Sequence, residues 1–503
     1  MDGTRARAAF AVLVLASAAR IAAAAASPAL STSGGSLQGI EHDGVVAYLG
    51  IPYAVPPVGA LRWRPPQGLP HWSGIRVADH YGNDCLQVRR APSPEQRPAS
   101  EDCLYLNVWA PARTGTALLP VIVWVHGGGF FAGSGSQPLY DGADLARRGV
   151  VVVNLNYRLG RFGFFAHPAL ARESPEGPIG NYGLLDQIAA LKWMVENIAA
   201  FGGDSRNVTL CGQSAGGASV SYLMASPYAR GLFQKAVIES GIFRGAPETL
   251  EQAEAAAQEA ARAWGAADAN ITALRNLSSL QVLSVGAAGR VGPMIDGHVV
   301  PEDVMAAFAA GRVAHVPLLI GSNSYESGFF PARAQGMAQR YAARWPEVTA
   351  VFDGYGTHET AAIEGQLATD QLITAPTWSV ARAAAAHGLP TYLYYFSYVR
   401  PSQRGHVPGA SHIDEVYALF DKMSLVEKET GADTQRIVDE VQSRWVQFAR
   451  TGQPGAKPAD WPALSSRAFR VLEFTNTGPR VRNDFASARL QLADSLAAPP
   501  AAK

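Results

Sequence analysis

The residues best suited to chemistry in this 503-residue chain form the pentapeptide Gly212-Gln213-Ser214-Ala215-Gly216. A run with strand character, Asn207-Val208-Thr209-Leu210-Cys211, leads into it, and a small-residue segment from Gly217 to Met224 with helical character leads out. A serine at such a strand-to-helix turn is held at a strained backbone angle, with its hydroxyl clear of both elements. Glycine is required two residues to either side, because a β-carbon there would strike the neighbouring strand or helix. This setting suits a nucleophile. A serine hydroxyl is a poor one at neutral pH, so it needs a base to take its proton. The base in turn needs an acid that fixes its tautomer and stabilises its charged form.

Two histidines compete for the base. His412 lies in Gly409-Ala410-Ser411-His412-Ile413-Asp414-Glu415, and His406 lies close by in the same loop. Two carboxylates compete for the acid. Glu326 sits just past the apolar run Leu318-Leu319-Ile320, where catalytic groups of open α/β sheets collect. Asp296 sits in the turn Ile295-Asp296-Gly297. A second glycine-rich stretch, His126-Gly127-Gly128-Gly129-Phe130, ends the apolar run Leu119 to Val125. Successive glycines let backbone N–H groups turn towards a substrate carbonyl, as stabilisation of an oxyanion requires. The stretch lacks the Lys-Ser/Thr of a P-loop and the spacing of a dinucleotide fingerprint. His126 is read as part of this loop and not as a base.

The elements that must position these groups alternate. Strands are expected at 102–109, 119–125, 150–156, 207–211, 235–241, 316–320 and 391–396, after a hairpin over 39–49 that turns at His42-Asp43-Gly44. Helices are expected at 141–148, 186–195, 250–264 and 437–450. The continuous apolar runs 119–125 and 150–156 read as strands buried on both faces. The alternation predicts an α/β fold with a central, mostly parallel sheet flanked by helices. No linker of Pro, Gly and Ser splits the chain, so residues 27–495 are expected to form one domain with helical insertions. The Ala-Pro tail 496–503 is expected to be disordered.

Hydrophobic content of 48%, charged content of 17% and 42 basic against 42 acidic residues describe a globular chain without a field for nucleic acid or anionic membranes. Arg5 and Arg7 precede an apolar run from Ala8 to Ala19 and an Ala-rich stretch ending at Ala26, the order of a cleaved secretory leader over 1–26. That run is too short to span a bilayer, so no membrane span is expected once the leader is removed. Cys85 and Cys103 flank a polar loop, whereas Cys211 falls in the strand before the elbow as a buried thiol. No cysteine spacing suits a metal, and no cofactor is expected.

Taken together, these stretches resemble the type-B carboxylesterases, the cholinesterase-like branch of the α/β-hydrolases. The likeness runs from about Gly39 to Trp461. It is carried by Tyr48 to Ala54, Glu101 to Val108, His126 to Phe130, Gly180 to Gln187, Phe201 to Asp204, the elbow and the His412 loop. The resemblance implies an α/β-hydrolase fold and a triad of Ser214, Glu326 and His412, deciding against Asp296 and His406. It implies oxyanion donors from the backbone of Gly128, Gly129 and Ala215. A Cys85–Cys103 disulfide, buried structural ion pairs Arg62–Glu101 and Arg158–Asp186, and a supporting Ser240 near the histidine follow from it as well.

The chain also departs from that family. Gln213 stands where cholinesterases carry a glutamate, and the Cys85–Cys103 loop has no aromatic residue to hold a cation. Choline esters are therefore poor candidates. Ile413 replaces a small residue after the histidine and could narrow the pocket. Phe130, Phe131 and Trp193 are candidates either to line that pocket or, equally, to pack in the core. The expected function is a secreted or periplasmic serine carboxylesterase acting on small-molecule esters, with short-chain aryl or alkyl esters as test substrates. The rivals are a non-catalytic binding or adhesion protein on the same scaffold, and a specialised esterase or amidase.

Overall fold

Leu119–Val125 carries no charged side chain and only the Trp124 indole as a polar group, the composition of a strand covered on both faces. Val121, Val123 and Val125 enter one apolar cluster, while Ile122 and Trp124 enter a second cluster on the opposite face. The same division recurs in the neighbouring strands, with Leu318 and Ile320 on one side and Leu319 on the other. The sheet is thus the middle layer between two helical layers.

The computed structural model describes residues 25–88, 97–112, 115–173, 177–266, 270–284, 291–465, 469–483 and 485–497. Among these residues the central sheet has twelve strands. They are β1 (Ala25–Ala26), β2 (Ile40–His42), β3 (Val45–Pro52), β4 (Tyr105–Pro111), β5 (Leu119–Val125) and β6 (Val151–Leu155). The series continues with β7 (Gly203–Gln213), β8 (Lys235–Glu239), β9 (Leu318–Asn323), β10 (Thr391–Phe396), β11 (Arg470–Thr475) and β12 (Gly478–Asn483). Their order across the sheet is β1-β2-β3-β4-β6-β5-β7-β8-β9-β10-β11-β12. From β6 to β11 every neighbour is parallel, and antiparallel strands close both ends. This is the mostly parallel α/β sheet expected.

The chief helices are α1 (Tyr182–Asn197), α2 (Ala215–Ala225), α3 (Leu250–Ala263), α4 (Ala375–Ala386), α5 (Ala432–Thr451) and α6 (Ser487–Ala497). Thr249 and Gln252 cap α3 reciprocally, which explains its sharp start. The hairpin β2–β3 turns at Asp43 and Gly44, both at positive φ, as the right-handed strand twist demands.

Two features differ from expectation. The hairpin β11–β12 was not anticipated. The tail assigned to 496–503 begins too early: Leu496 is buried and Ala497 closes α6, which packs back through the buried Arg489–Asp370 ion pair. The remainder of that tail lies outside the described residues, as does most of the leader; Ala25 and Ala26 pair with Glu41 and Ile40.

Candidate active site

The elbow forms because the chain has no room to do otherwise. Ser214 sits at φ 58°, ψ −124° between β7 and α2, a conformation that most side chains avoid. A Cβ on Gly216 would stand 2.0 Å from the Val125 carbonyl oxygen, and one on Gly212 would stand 2.5 Å from the Gly216 backbone. The Ser214 N–H donates to the Glu239 carbonyl at 2.9 Å, which locks the strained residue to β8.

His412 reaches the serine from a loop 198 residues later, its Nε2 lying 2.8 Å from Ser214 Oγ. On the other side of the ring, Nδ1 lies 2.5 Å from Glu326 Oε2. The second oxygen of Glu326 accepts the Asn323 N–H at 2.7 Å, so the carboxylate is held from both ends. All three side chains are buried. The acid and histidine loops are sewn together where they leave the sheet. Tyr325 N–H donates to the Ala410 carbonyl (2.8 Å), Ala410 N–H to Ser324 Oγ (2.8 Å), and the Asn323 amide to the Ser411 carbonyl (2.6 Å). The Gln213 amide N–H donates to the His412 carbonyl at 2.5 Å, tying the elbow to the same loop.

The rival groups are employed elsewhere. Asp296 accepts the N–H groups of His298 and Val300 within its own turn. His406 is exposed. His126 is buried, its ring stacks on Tyr157, and burial pushes it down to about 4, so it is a neutral part of the loop wall.

Facing the serine, the Gly128 carbonyl accepts the N–H groups of Phe131 and Ala132, which fixes the turn of the glycine loop. The Gly128 and Gly129 N–H groups donate to no other group among the described residues. Ala215 opens α2, where the first N–H groups have no partner within the helix. Both φ angles, 109° at Gly128 and 63° at Gly129, belong to glycine territory.

Beneath the triad lies a pair of buried carboxyls. Burial raises Glu239 to about 8, and its Oε1 accepts the Trp445 indole N–H at 2.7 Å. Burial and the neighbouring Glu239 and Glu326 hold Glu415 well above the usual carboxylate range. Ser240, at φ 46°, donates to Glu415 Oε1 at 3.4 Å, so it supports this carboxyl layer and makes no direct bond to the His412 ring.

Of the two alternatives for the aromatic candidates, the core holds for Trp193 of α1, which packs on Phe201, while Phe130 packs edge-on against Phe164. Phe131 is exposed and lies over Gly129. The side chains that surround the His412 ring are Phe243, Phe329 and Phe330, with ring centroids 6.3, 5.2 and 5.3 Å away. Their one sequence signal was the Phe-Phe pair three residues after Glu326. Ile413 packs against the core instead of the pocket.

The other expected pairs are present. Cys85 and Cys103 form a disulfide. Arg62 is paired with Glu101 through two N–H donors, and Arg158 meets Asp186 with two contacts of 2.7 Å. A further pair, the buried Arg275 with the exposed Glu173, was not foreseen.

Comparison with known proteins then decides the family. The model of the "Carboxylesterase family" matches residues 26–347 and 353–493. The chain belongs to the carboxylesterase family. This carboxylesterase is 36% identical over 475 residues to the para-nitrobenzyl esterase of Bacillus subtilis (strain 168), covering 88% of this chain and 94% of that protein. It is 35% identical over 465 residues to the fumonisin B1 esterase of Sphingopyxis macrogoltabida, covering 87% and 84%. Among solved structures, a PNB esterase superposes with a TM-score of 0.79 at 33% identity over 92% of this chain and 99% of that one. A carboxylesterase of Geobacillus stearothermophilus superposes with a TM-score of 0.80 at 33% identity, over 92% and 99%. The chain is accordingly an α/β-hydrolase and a carboxylic ester hydrolase, which sets aside the non-catalytic reading. Among the described residues, no helix is long and apolar enough to cross a membrane and no cluster of side chains could hold a metal ion.

Proposed function

We propose that Ser214, His412 and Glu326 carry the ester hydrolysis as a charge-coupled triad, with the N–H groups of Gly128, Gly129 and Ala215 as the oxyanion hole. Ser214 Oγ adds to the ester carbonyl while His412 Nε2 takes its proton. Glu326 keeps the other ring proton on Nδ1 and stabilises the imidazolium. The three amides receive the charge that develops on the carbonyl oxygen. His412 then protonates the departing alcohol, leaving an acyl-serine. Water then adds to the acyl carbonyl as His412 takes its proton, and His412 passes that proton to Ser214 Oγ as the acid leaves. No step requires a cofactor. The observation that supports this reading most is the unbroken chain of contacts, 2.8 Å from serine to imidazole and 2.5 Å from imidazole to carboxylate.

Substrate preference follows from the walls. Phe243, Phe329 and Phe330 give the ring of His412 an apolar surround, and Gln213 places no charge beside the nucleophile. Short-chain aryl or alkyl esters fit this surround, and the name of the para-nitrobenzyl relative agrees with them. The disulfide and the Arg-plus-apolar N-terminal stretch support an exported protein, secreted or periplasmic, with residues 1–26 as its leader and the rest one catalytic domain. A fluorophosphonate probe tests the triad. It should label Ser214 in the wild type and leave Ser214→Ala unlabelled and inactive, with an unchanged melting temperature. Labelling at another residue, or hydrolysis surviving in Ser214→Ala, would reject the assignment.

A further inference from the structure

The glycine loop is backed by the chain that returns from it. A Cβ on Gly128 would stand 2.0 Å from the Ala132 carbonyl oxygen, and one on Gly133 would stand 2.5 Å from both the Gly127 oxygen and His126 Nδ1. The returning leg 132–136 therefore lies directly against the leg 126–129 that carries the amides. Any shift of the return leg is transmitted to those amides, because nothing compressible lies between them.

The return leg is gripped from outside. Gln87, two residues past Cys85, donates its amide N–H to the Gly133 carbonyl at 2.8 Å and accepts the Gly133 N–H at 2.9 Å. The same Gln87 amide group also donates to the Cys85 carbonyl at 3.0 Å, which fixes its side chain to the disulfide. Asp84 accepts the hydroxyls of Ser134 and Ser136 at 2.5 and 2.6 Å, and the Gly135 N–H reaches Asn156 at 2.8 Å. Asp84, Ser134, Ser136 and Asn156 are buried. Gln87 is the one member of this set whose side-chain amide pairs with both backbone groups of a single loop residue.

We infer that Gln87 is a positioning residue for the oxyanion hole: with Asp84, it clamps the 132–136 leg to the Cys85–Cys103 bridge and so sets where the Gly128 and Gly129 amides point. This rests on the oxyanion assignment proposed above. Because the clamp acts on charge developing in the transition state, its loss falls on kcat more than on KM.

The test compares Gln87→Ala and Gln87→Glu with wild type, using an aryl ester and two inhibitors of the same shape. One is an aryl trifluoromethyl ketone, to which Ser214 adds to give a tetrahedral oxyanion. The other is the methyl ketone, which stays trigonal. In the wild type the trifluoromethyl ketone should bind far more tightly. Gln87→Ala should lower kcat by about 10- to 100-fold with KM within about two-fold, the scale of misplaced oxyanion donors. Its affinity for the trifluoromethyl ketone should fall by a like factor while the methyl ketone is unaffected. Gln87→Glu keeps the acceptor for the Gly133 N–H but sets a carboxylate oxygen against the Gly133 and Cys85 carbonyls, so it should lose affinity for the trifluoromethyl ketone as well. Circular dichroism and the melting temperature identify unfolded variants. If Gln87→Ala unfolds, a loss of trifluoromethyl ketone affinity in folded Gln87→Glu, with the methyl ketone unaffected, carries the test. Folded Gln87 variants that keep the wild-type discrimination between the ketones overturn the clamp alone. A wild type that binds both ketones equally overturns the oxyanion assignment and the clamp with it.

Discussion

Replacing Glu326 by glutamine tests the triad more sharply than deleting the serine, because the geometry forces the outcome. One carboxylate oxygen accepts the Asn323 N–H at 2.7 Å. In Glu326→Gln that position must keep the carbonyl oxygen, since an NH2 group there would face another donor. The new NH2 is then left 2.5 Å from His412 Nδ1. It can only donate, so Nδ1 must become the acceptor and the ring proton must move to Nε2. That proton now points at Ser214 Oγ, 2.8 Å away, and the imidazole has no lone pair with which to accept the serine proton. The side chain changes by one heavy atom and no volume, so the fold should stand. The loss should be about 10⁴ in kcat, the size found when a triad acid becomes an amide, or about 5.5 kcal/mol of transition-state stabilisation. Steady-state hydrolysis of an aryl ester measures it, and thermal melting checks the fold. A loss of less than about ten-fold in a folded variant, far below the triad scale, would mean that Glu326 does not set the tautomer.

Three further outcomes follow from the structure. Asp186→Ala leaves the Arg158 guanidinium buried without its carboxylate and should destabilise the protein by about 3–5 kcal/mol, seen as a lower denaturant midpoint; an unchanged midpoint would mean that water replaces the partner. Replacing Cys85 and Cys103 together by serine opens a bridge between residues 18 apart and should lower stability by about 3 kcal/mol, read in the same melts with and without reductant. Glu239 keeps its proton up to about 8 when folded and ionises near 4.3 when unfolded, so the native state binds the extra proton between these values. Its contribution to stability is therefore complete below about pH 4 and lost as pH rises towards 8. Glu239→Gln should gain stability relative to wild type between pH 5 and pH 8.5, with Glu415, Glu326 and Tyr394 still facing the site; parallel stability curves would contradict the burial argument.

The elbow was legible because it is local: strand, glycines, serine and helix are contiguous in sequence. The glycine loop was legible for the same reason. The acid and the base were not separable from their rivals by residue type alone. Glu326 and His412 are matched by the Tyr325–Ala410 and Asn323–Ser411 bonds, contacts between loops some 86 residues apart that no short pattern encodes. Only the family resemblance chose between them. Trp193 was left open between pocket and core because most residues of α1 are buried, so its periodicity could not tell a core face from a pocket face. Phe243 was missed because its neighbours in sequence carry no chemistry. The end of α6 was misjudged on composition: a run of small residues was read as a tail, although Arg489 anchors it to Asp370.

On the proposed assignment, the three reacting groups leave the ribosome far apart in time. The sheet strand that ends at Ser214 is complete when less than half the chain exists, whereas the imbedded loop that brings His412 is synthesised nearly two hundred residues later, and the final strand pair and helix come later still. A chain interrupted anywhere before residue 412 carries the serine without its proton acceptor. Hydrolytic power therefore switches on late in biosynthesis, once four-fifths of the polypeptide has emerged, and a truncated product is silent rather than partly active.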